Sequence, residues 1–297
     1  MLQFLLDVLI RTSDLLLVSI GLSTLYSLIR FPNIAHVQYA MLGAFVSLGC
    51  ERAGLPLVLA AAVSCTLVGC LAVLLNVFVF ARLLRSGSAV AMIGSLAVSL
   101  IAIALVLGTA GSRPLQYVQD LTPPLLIGGI AVSRAQLDSI ACGTLTLLLF
   151  SALLYRTDLG RSMRALASNG PLALATGIDA QRVTNVITFA SGVLAALGGT
   201  MLGLTESVHV NLGNGLLIPV FSAAILGGLG NPLGAAAGAL LIALAETLML
   251  NVDFGALTGY PQLAFPVAYV SAVSFLILLV ALMFRPYGIF DREVRRV

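Results

Sequence analysis

The length of its charge-free runs is what most constrains this chain. No Asp, Glu, Lys or Arg lies between Arg52 and Arg82, between Arg85 and Arg113, between Arg182 and Glu206, or between Asp253 and Arg285. Each run reaches the roughly 20 residues that an α-helix needs to cross the hydrocarbon core of a bilayer. Backbone N–H and C=O groups find no water in lipid, so each crossing must satisfy them within itself, and the crossings are therefore helical. The stretch from Glu206 to Glu246 is long enough for two crossings, broken by the turn-forming Gly227-Gly228-Leu229-Gly230-Asn231-Pro232. Shorter runs from Leu15 to Ile29, Phe31 to Cys50 and Ser139 to Tyr155 supply the rest. The expected fold is all-α, a polytopic integral membrane helix bundle of about nine spans (roughly 8 to 10), forming one transmembrane domain over residues 1–297. Composition agrees: 60% of residues are hydrophobic, 9% are charged, and the mean hydropathy is +1.09.

The first span is expected to remain in the protein. A secretory signal starts with a basic region, whereas here the first basic residue, Arg11, stands between Asp7 and Asp14. These three fall at i, i+4 and i+7, one face of a helix on which they can pair. The N-terminus is read as an interfacial helical turn leading into the first span.

The arginines set the orientation. An odd number of spans puts the termini on opposite sides. With the C-terminus inside, Arg30, Arg82, Arg85, Arg156, Arg161, Arg164, Arg182, Arg285, Arg292, Arg295 and Arg296 are cytoplasmic, leaving only Arg11, Arg52, Arg113 and Arg134 outside. That is the bias of the positive-inside rule. The net charge of +3 thus follows from orientation and points to no nucleic-acid partner. Cys50, Cys65, Cys70 and Cys142 lie in or at the edges of spans without metal-ligand spacing, and read as small apolar residues.

Two polar segments interrupt the apolar runs. The extracytoplasmic loop 111–138 contains Pro124-Leu-Leu-Ile, Gly128-Gly129 and Ile130-Ala-Val, the pattern of a small hairpin, and then Ser133-Arg-Ala-Gln136, a capping box that opens the next helix. The loop is either a contact for an outside partner or a lid on the bundle. The segment 156–182, RTDLGRSMRALASNGPLALATGIDAQR, is the longest charged island. Leu159 to Ser168 favours helix; Asn169-Gly170-Pro171 stops it and starts another with proline at the first helical position. Gly177 then caps the short helix in the left-handed region, and Asp179 caps the next span. This predicts a rigid two-helix knob for a groove on another protein, against the plainer reading of an amphipathic loop on the headgroups.

Small residues recur every fourth position, with Gly230, Gly234 and Gly238 expected on one helix face and Ala195, Gly199 and Gly203 on another, so that helix backbones approach closely.

Three stretches together resemble the permease family of branched-chain amino acid ABC transporters. TDLGRSMRALASNGPLALATGID with ITFASGVLAALGGTMLG, from Thr157 to Gly203, is similar to the family's coupling loop and following helix. AILGGLGNPLGAAAGALLIALAE, from Ala224 to Glu246, resembles its glycine-rich hairpin. Asn33-Ile-Ala-His36-Val-Gln38-Tyr39-Ala-Met-Leu-Gly43-Ala resembles its second-span motif, although Val37 and Gln38 stand where relatives often carry glycine and an acid. The resemblance covers nearly the whole chain. It implies a second permease, identical or related, two cytoplasmic ATP-binding subunits, and a periplasmic substrate-binding protein, all at the bacterial inner membrane. It also implies that Thr157, Asp158, Leu159, Gly160, Arg161, Arg164, Ala165, Gly177, Ile178 and Asp179 couple to the ATPase, and that the cargo is a branched-chain amino acid or, in the same family, urea or a short amide.

The chain has no lysine, so it holds no P-loop, whose lysine reaches the β and γ phosphates. A transport subunit without its own ATPase site, catalytic set, metal or cofactor is expected. Polar residues within spans are costly and tend to be functional. Asn33, His36, Gln38 and Tyr39, following the helix-breaking Pro32, either line a hydrated path for a zwitterion or knit helices together. Glu246 stands either near the outer surface or paired inside the bundle, and Glu206 and His209 fall where the sixth span reaches the outside. A secondary transporter would need paired intramembrane carboxylates, of which Glu246 is a lone candidate. An intramembrane enzyme would need a nucleophile and base, and His36 and His209 are on different spans.

Overall fold

A computed structural model describes residues 2–117, 125–127, 130–252, 266–285 and 288–289. Pro124, Gly128-Gly129, Asp253 and the C-terminal Arg292, Arg295 and Arg296 lie outside the described residues.

Helix α1 (Leu2–Ile29) is the axis of the bundle: every residue from Thr12 to Leu25 is buried. A helix apolar all round is stable only when neighbours cover it on every side. Here α5 (Arg134–Arg156), α8 (Ala180–Thr205), α9 (Leu212–Gly227) and α10 (Pro232–Asn251) supply that cover. No break separates an interfacial turn from the first span; the helix runs unbroken from Leu2.

After a non-helical segment, 30–35, comes α2 (His36–Arg52). Then α3 (Leu57–Leu75) continues through a π-helical turn at Asn76–Phe80 to Ser86, forming one rod of 30 residues. Gly87, at φ +118, turns the chain into α4 (Ser88–Ala110). Two short helices, α6 (Asp158–Ser168) and α7 (Gly170–Ala175), join α5 to α8, and α11 (Val270–Phe284) closes the described chain. Leu57–Ser86, α4, α5, α8 and α10 are each long and apolar enough to cross a membrane, while α9 and α11 are apolar but shorter, at 16 and 15 residues. Large apolar side chains such as Val58, Ile93, Leu105, Leu148 and Met283 face outward, as they must where the solvent is lipid.

Close approach of backbones holds the helices together. A Cβ on Gly199 would stand 1.8 Å from Ala40 O, and one on Gly43 2.4 Å from Ala196 Cα, so α2 and α8 touch main chain to main chain. Likewise α9 and α10 meet where a Cβ on Gly238 would lie 2.0 Å from Ala223 O and one on Gly234 2.1 Å from Gly227 O. Gly203 is close to Val208, and Ala195 is fully buried. Gly230 departs from its expected place: it precedes α10, in the turn, at φ +94. The reason is local, because Asn231 caps α10 by accepting from Gly234 N at 3.1 Å and Pro232 starts the helix, which leaves Gly230 outside it.

The hairpin forms as β1 (Leu125–Ile127) and β2 (Ile130–Val132), antiparallel with Leu125 opposite Val132, and the capping box at Ser133 and Gln136 opens α5. Leu115 bridges to Val208, and the Tyr117 hydroxyl donates to Ala44 O at 3.0 Å. Burial pushes the Tyr117 phenol up to about 12, so it stays a neutral donor. The first part of this loop is thus anchored into the end of the bundle.

Candidate functional site

Two ends can be told apart. Arg30 donates to Ala167 O in the α6 region, and Gly230 N donates to Ser23 Oγ, so the end of α1, the knob and the start of α10 share one end, which we term the basic end. Asp7, Arg11, Glu206 and Glu246 gather at the other.

Between the ends lies a polar knot at the start of α2. The His36 Nε2 atom is 3.2 Å from Val18 O, 12 residues before Arg30 and thus roughly 18 Å along α1 at 1.5 Å per residue. Residues 30–35 cover that distance without forming helix and end in a turn at Ile34-Ala35, and α2 starts mid-bundle. Bare backbone at such depth requires internal partners. Ser95 Oγ accepts from Ile34 N at 3.0 Å, and Asn33 Oδ1 accepts from Ala35 N at 3.1 Å.

A carbonyl only accepts, so the His36 proton is on Nε2, and Nδ1 keeps its lone pair 3.3 Å from Ser191 Oγ on α8. The single Ser191 hydroxyl proton is shared between Nδ1 and Gly21 O, which lies 3.0 Å from Oγ. The ring fits in a notch: a Cβ on Gly21 would come within 3.1 Å of it. His36 therefore ties α1, α2 and α8. Tyr39 meets the ring edge-on at 5.8 Å between centroids. Gln38 Nε2 donates to Asn214 Oδ1 at 2.9 Å, joining α2 to the first turn of α9. All four motif residues are brought together and are at most 2% exposed.

The far end holds a cavity of about 440 Å³ lined by Asp7, Arg11, Glu206, His209 and Glu246 among apolar neighbours. Arg11 Nε donates to Glu246 Oε2 at 2.7 Å, and the other oxygen of Glu246 accepts from Ser274 Oγ. Asp14 accepts from Ser139 Oγ at 3.2 Å. The expected pairing of Arg11 with Asp7 and Asp14 is thus replaced by a cross-helix pair. Glu246 is 1% exposed, and a buried carboxylate is tolerable only when paired and hydrogen-bonded, so it draws the guanidinium that the helix neighbours do not hold. Glu246 stands inside the bundle, the second of its two expected places. Sequence reading treated Arg11 only as a local partner; an arginine within an apolar helix was the available signal.

At the basic end each cap of the knob is formed. Thr157 Oγ1 accepts from Gly160 N at 3.2 Å, Asn169 Oδ1 from Leu172 N at 3.1 Å, and Asp179 Oδ1 from Arg182 N at 3.0 Å. Gly177 takes φ +87. Proline is one place later than expected, with Gly170 first in α7 and Pro171 second. A Cβ on Gly160 would lie 2.0 Å from Leu154 O, which seats α6 against the end of α5. Arg164 donates to the same carbonyl and lies over the Tyr155 ring, 5.3 Å from its centroid. Arg161 pairs with Asp158 in the open, Leu159, Ala165 and Ile178 are half-buried, and Leu172 and Leu174 are exposed.

A helix bundle with a capped knob at one end, a charged cavity at the other and a broken helix between them defines a polytopic membrane protein of transporter architecture. Residues 4–282 match the family model described as branched-chain amino acid transport system / permease component, and the chain belongs to that family. It is 28% identical to the probable branched-chain amino acid transport permease protein LivH of Methanocaldococcus jannaschii, over 94% of this chain and 89% of that one. It is 26% identical to the high-affinity branched-chain amino acid transport system permease protein BraD of Pseudomonas aeruginosa, over 95% and 93%. Against Escherichia coli K12 LivH, a permease protein described in the same terms, identity is 25% over 95% and 92%. Among solved structures, PsaBC from Streptococcus pneumoniae, in complex with Fab, shares the fold at a TM-score of 0.51 and 17% identity, covering 96% of this chain and 92% of that chain.

Proposed function

We propose that the chain is the inner-membrane permease subunit of an ABC importer for branched-chain amino acids. It works beside a second permease, over two cytoplasmic ATP-binding subunits and beneath a periplasmic binding protein. The observation that carries this reading is the family match over residues 4–282, with relatives named for this transport.

Three physical features support it. The basic end carries Arg30, Arg156, Arg161, Arg164 and Arg182, so the positive-inside rule turns it to the cytoplasm and leaves the N-terminus periplasmic. The knob from 156 to 182 is stiffened at every cap and offers exposed Leu172 and Leu174 to a partner's groove. With no lysine in the sequence for a P-loop, the energy of ATP enters through that partner. In this reading Thr157 to Ala165 and Gly177 to Asp179 form the coupling surface, and Asn33, His36, Gln38 and Tyr39 stand at the mid-depth break beside the path.

The test is uptake of labelled leucine, isoleucine and valine by cells with and without the gene, combined with mild-detergent purification of the chain. Loss of all three uptakes on deletion and recovery of ATPase subunits are expected. Uptake driven by an ion gradient alone, by a chain that purifies without partners, would overturn the reading.

A further inference from the structure

The cavity at the far end is lined by the one guanidinium of α1, which also ties α1 to α10 through Glu246. Arg11 is held by Glu246 through Nε. Its side chain remains 26% exposed and lines the cavity, and among the described residues its hydrogen bond is made through Nε, not Nη. A guanidinium fork with free Nη donors matches the two oxygens of a carboxylate.

Glu206, just past the end of α8, shares the same cavity. It is exposed and near enough for its charge to act on Arg11. Even so, the ion pairs within 4.0 Å among the described residues are Arg11–Glu246 and Arg161–Asp158, so Glu206 and Arg11 stand more than 4.0 Å apart on the wall of the same cavity. Opposite charges held apart in this way are spaced for a molecule that carries both. Three carboxylates, Asp7, Glu206 and Glu246, line the cavity against one guanidinium and His209, a balance that disfavours a bare anion and favours a ligand that also carries an ammonium. Leu212 and Val270 give an aliphatic group somewhere to lie, and about 440 Å³ falls in the usual range for small-ligand pockets.

We propose that this cavity is a binding site for a zwitterionic α-amino acid, its carboxylate on the Nη edge of Arg11 and its ammonium on Glu206. Glu246 acts as the positioning residue that fixes the guanidinium. The proposal deepens the amino-acid importer reading and rests on it.

Equilibrium binding of labelled leucine to the purified full chain in nanodiscs tests it, with 4-methylpentanoate and isopentylamine as competitors that each keep one charge. Each competitor should be at least about tenfold weaker than unlabelled leucine, and Glu206→Gln should weaken leucine by about tenfold while the chain stays helical and monodisperse. Because Arg11→Gln alone strands a buried carboxylate, the double variant Arg11→Gln/Glu246→Gln is the second probe, and it should abolish saturable leucine binding. Leucine affinity unchanged in both variants, or equal competition by the single-charge analogues, overturns the site. Leucine uptake by cells alongside no saturable binding to the chain overturns the site and leaves the importer reading standing. Saturable binding of glycine in preference to leucine keeps the site and overturns the branched-chain reading.

Discussion

Arg30 Nη2 donates a 2.7 Å hydrogen bond to the carbonyl oxygen of Ala167, fastening the end of α1 to the last turn of α6. Arg30 is also the one non-glycine among the described residues with a positive φ, +52. Its main chain opens the non-helical segment that leads to His36, and its side chain holds the knob. In the importer reading proposed above, a displacement of the knob by a partner would reach the chain where α1 gives way to the segment before α2.

Replacement of Arg30 separates backbone from side chain. Arg30→Gly removes the bond and relieves the left-handed strain of about 1 kcal/mol that Arg30 carries, whereas Arg30→Ala removes the bond and keeps that strain. In proteoliposomes of the assembled transporter, both should hydrolyse more ATP per leucine moved, and the glycine variant should be the more thermally stable of the two. An unchanged ratio of ATP to leucine in both would show that the bond transmits nothing.

The notch at Gly21 gives a second test. Gly21→Val places new atoms within about 3 Å of both Ser191 O and the His36 ring, and should cost about 1–3 kcal/mol through overpacking, as should the lost tie in His36→Ala. Thermal unfolding of the solubilised chain reads this directly. If His36→Ala lowers leucine uptake with no change in melting, His36 serves the path instead of the tie.

Glycine substitutions should sort by what a Cβ meets. Gly199→Ala and Gly238→Ala drive a methyl to about 2 Å from a carbonyl on the facing helix, and should reduce the yield of folded protein severely. Gly230→Ala has room but takes φ +94, and should cost about 1 kcal/mol. Gly108→Ala, with nothing within 4 Å, is the neutral control. Size-exclusion profiles of tagged variants check the order, and equal profiles for Gly199→Ala and Gly108→Ala would contradict it.

Features set by neighbouring residues were legible in the sequence. The knob's caps, the hairpin at Leu125–Val132 and the break after Pro32 each follow from side chains within a few positions of the backbone they govern. What pairs across the bundle was not. Arg11 and Glu246 are 235 residues apart, and no local pattern distinguishes Glu246 from the helix neighbours Asp7 and Asp14 as the partner. The π-turn at Asn76–Phe80 has no proline or glycine to announce it, and Gly230 left its expected face because Asn231 and Pro232 fixed the helix start beyond it. The non-helical run from Arg30 to His36 was signalled by Pro32, but its depth depends on Val18 and Ser191, on two other helices.

The Arg11–Glu246 pair distinguishes a structural carboxylate from a proton-coupling one. Both oxygens of Glu246 are occupied, by Arg11 and Ser274, and removing one partner of a buried pair costs about 3–5 kcal/mol because the other charge is left bare. Glu246→Gln and Arg11→Gln should each fall well below wild type in folded yield. The exchange Arg11→Glu/Glu246→Arg should recover part of that loss, since the attraction survives the swap. A carboxylate that coupled transport to protons would behave differently: Glu246→Gln would fold normally and lose only the gradient-driven component of uptake. Folded yield across this cycle, together with leucine uptake in the presence of a protonophore while ATP is maintained, tells the two apart, with uptake expected to persist.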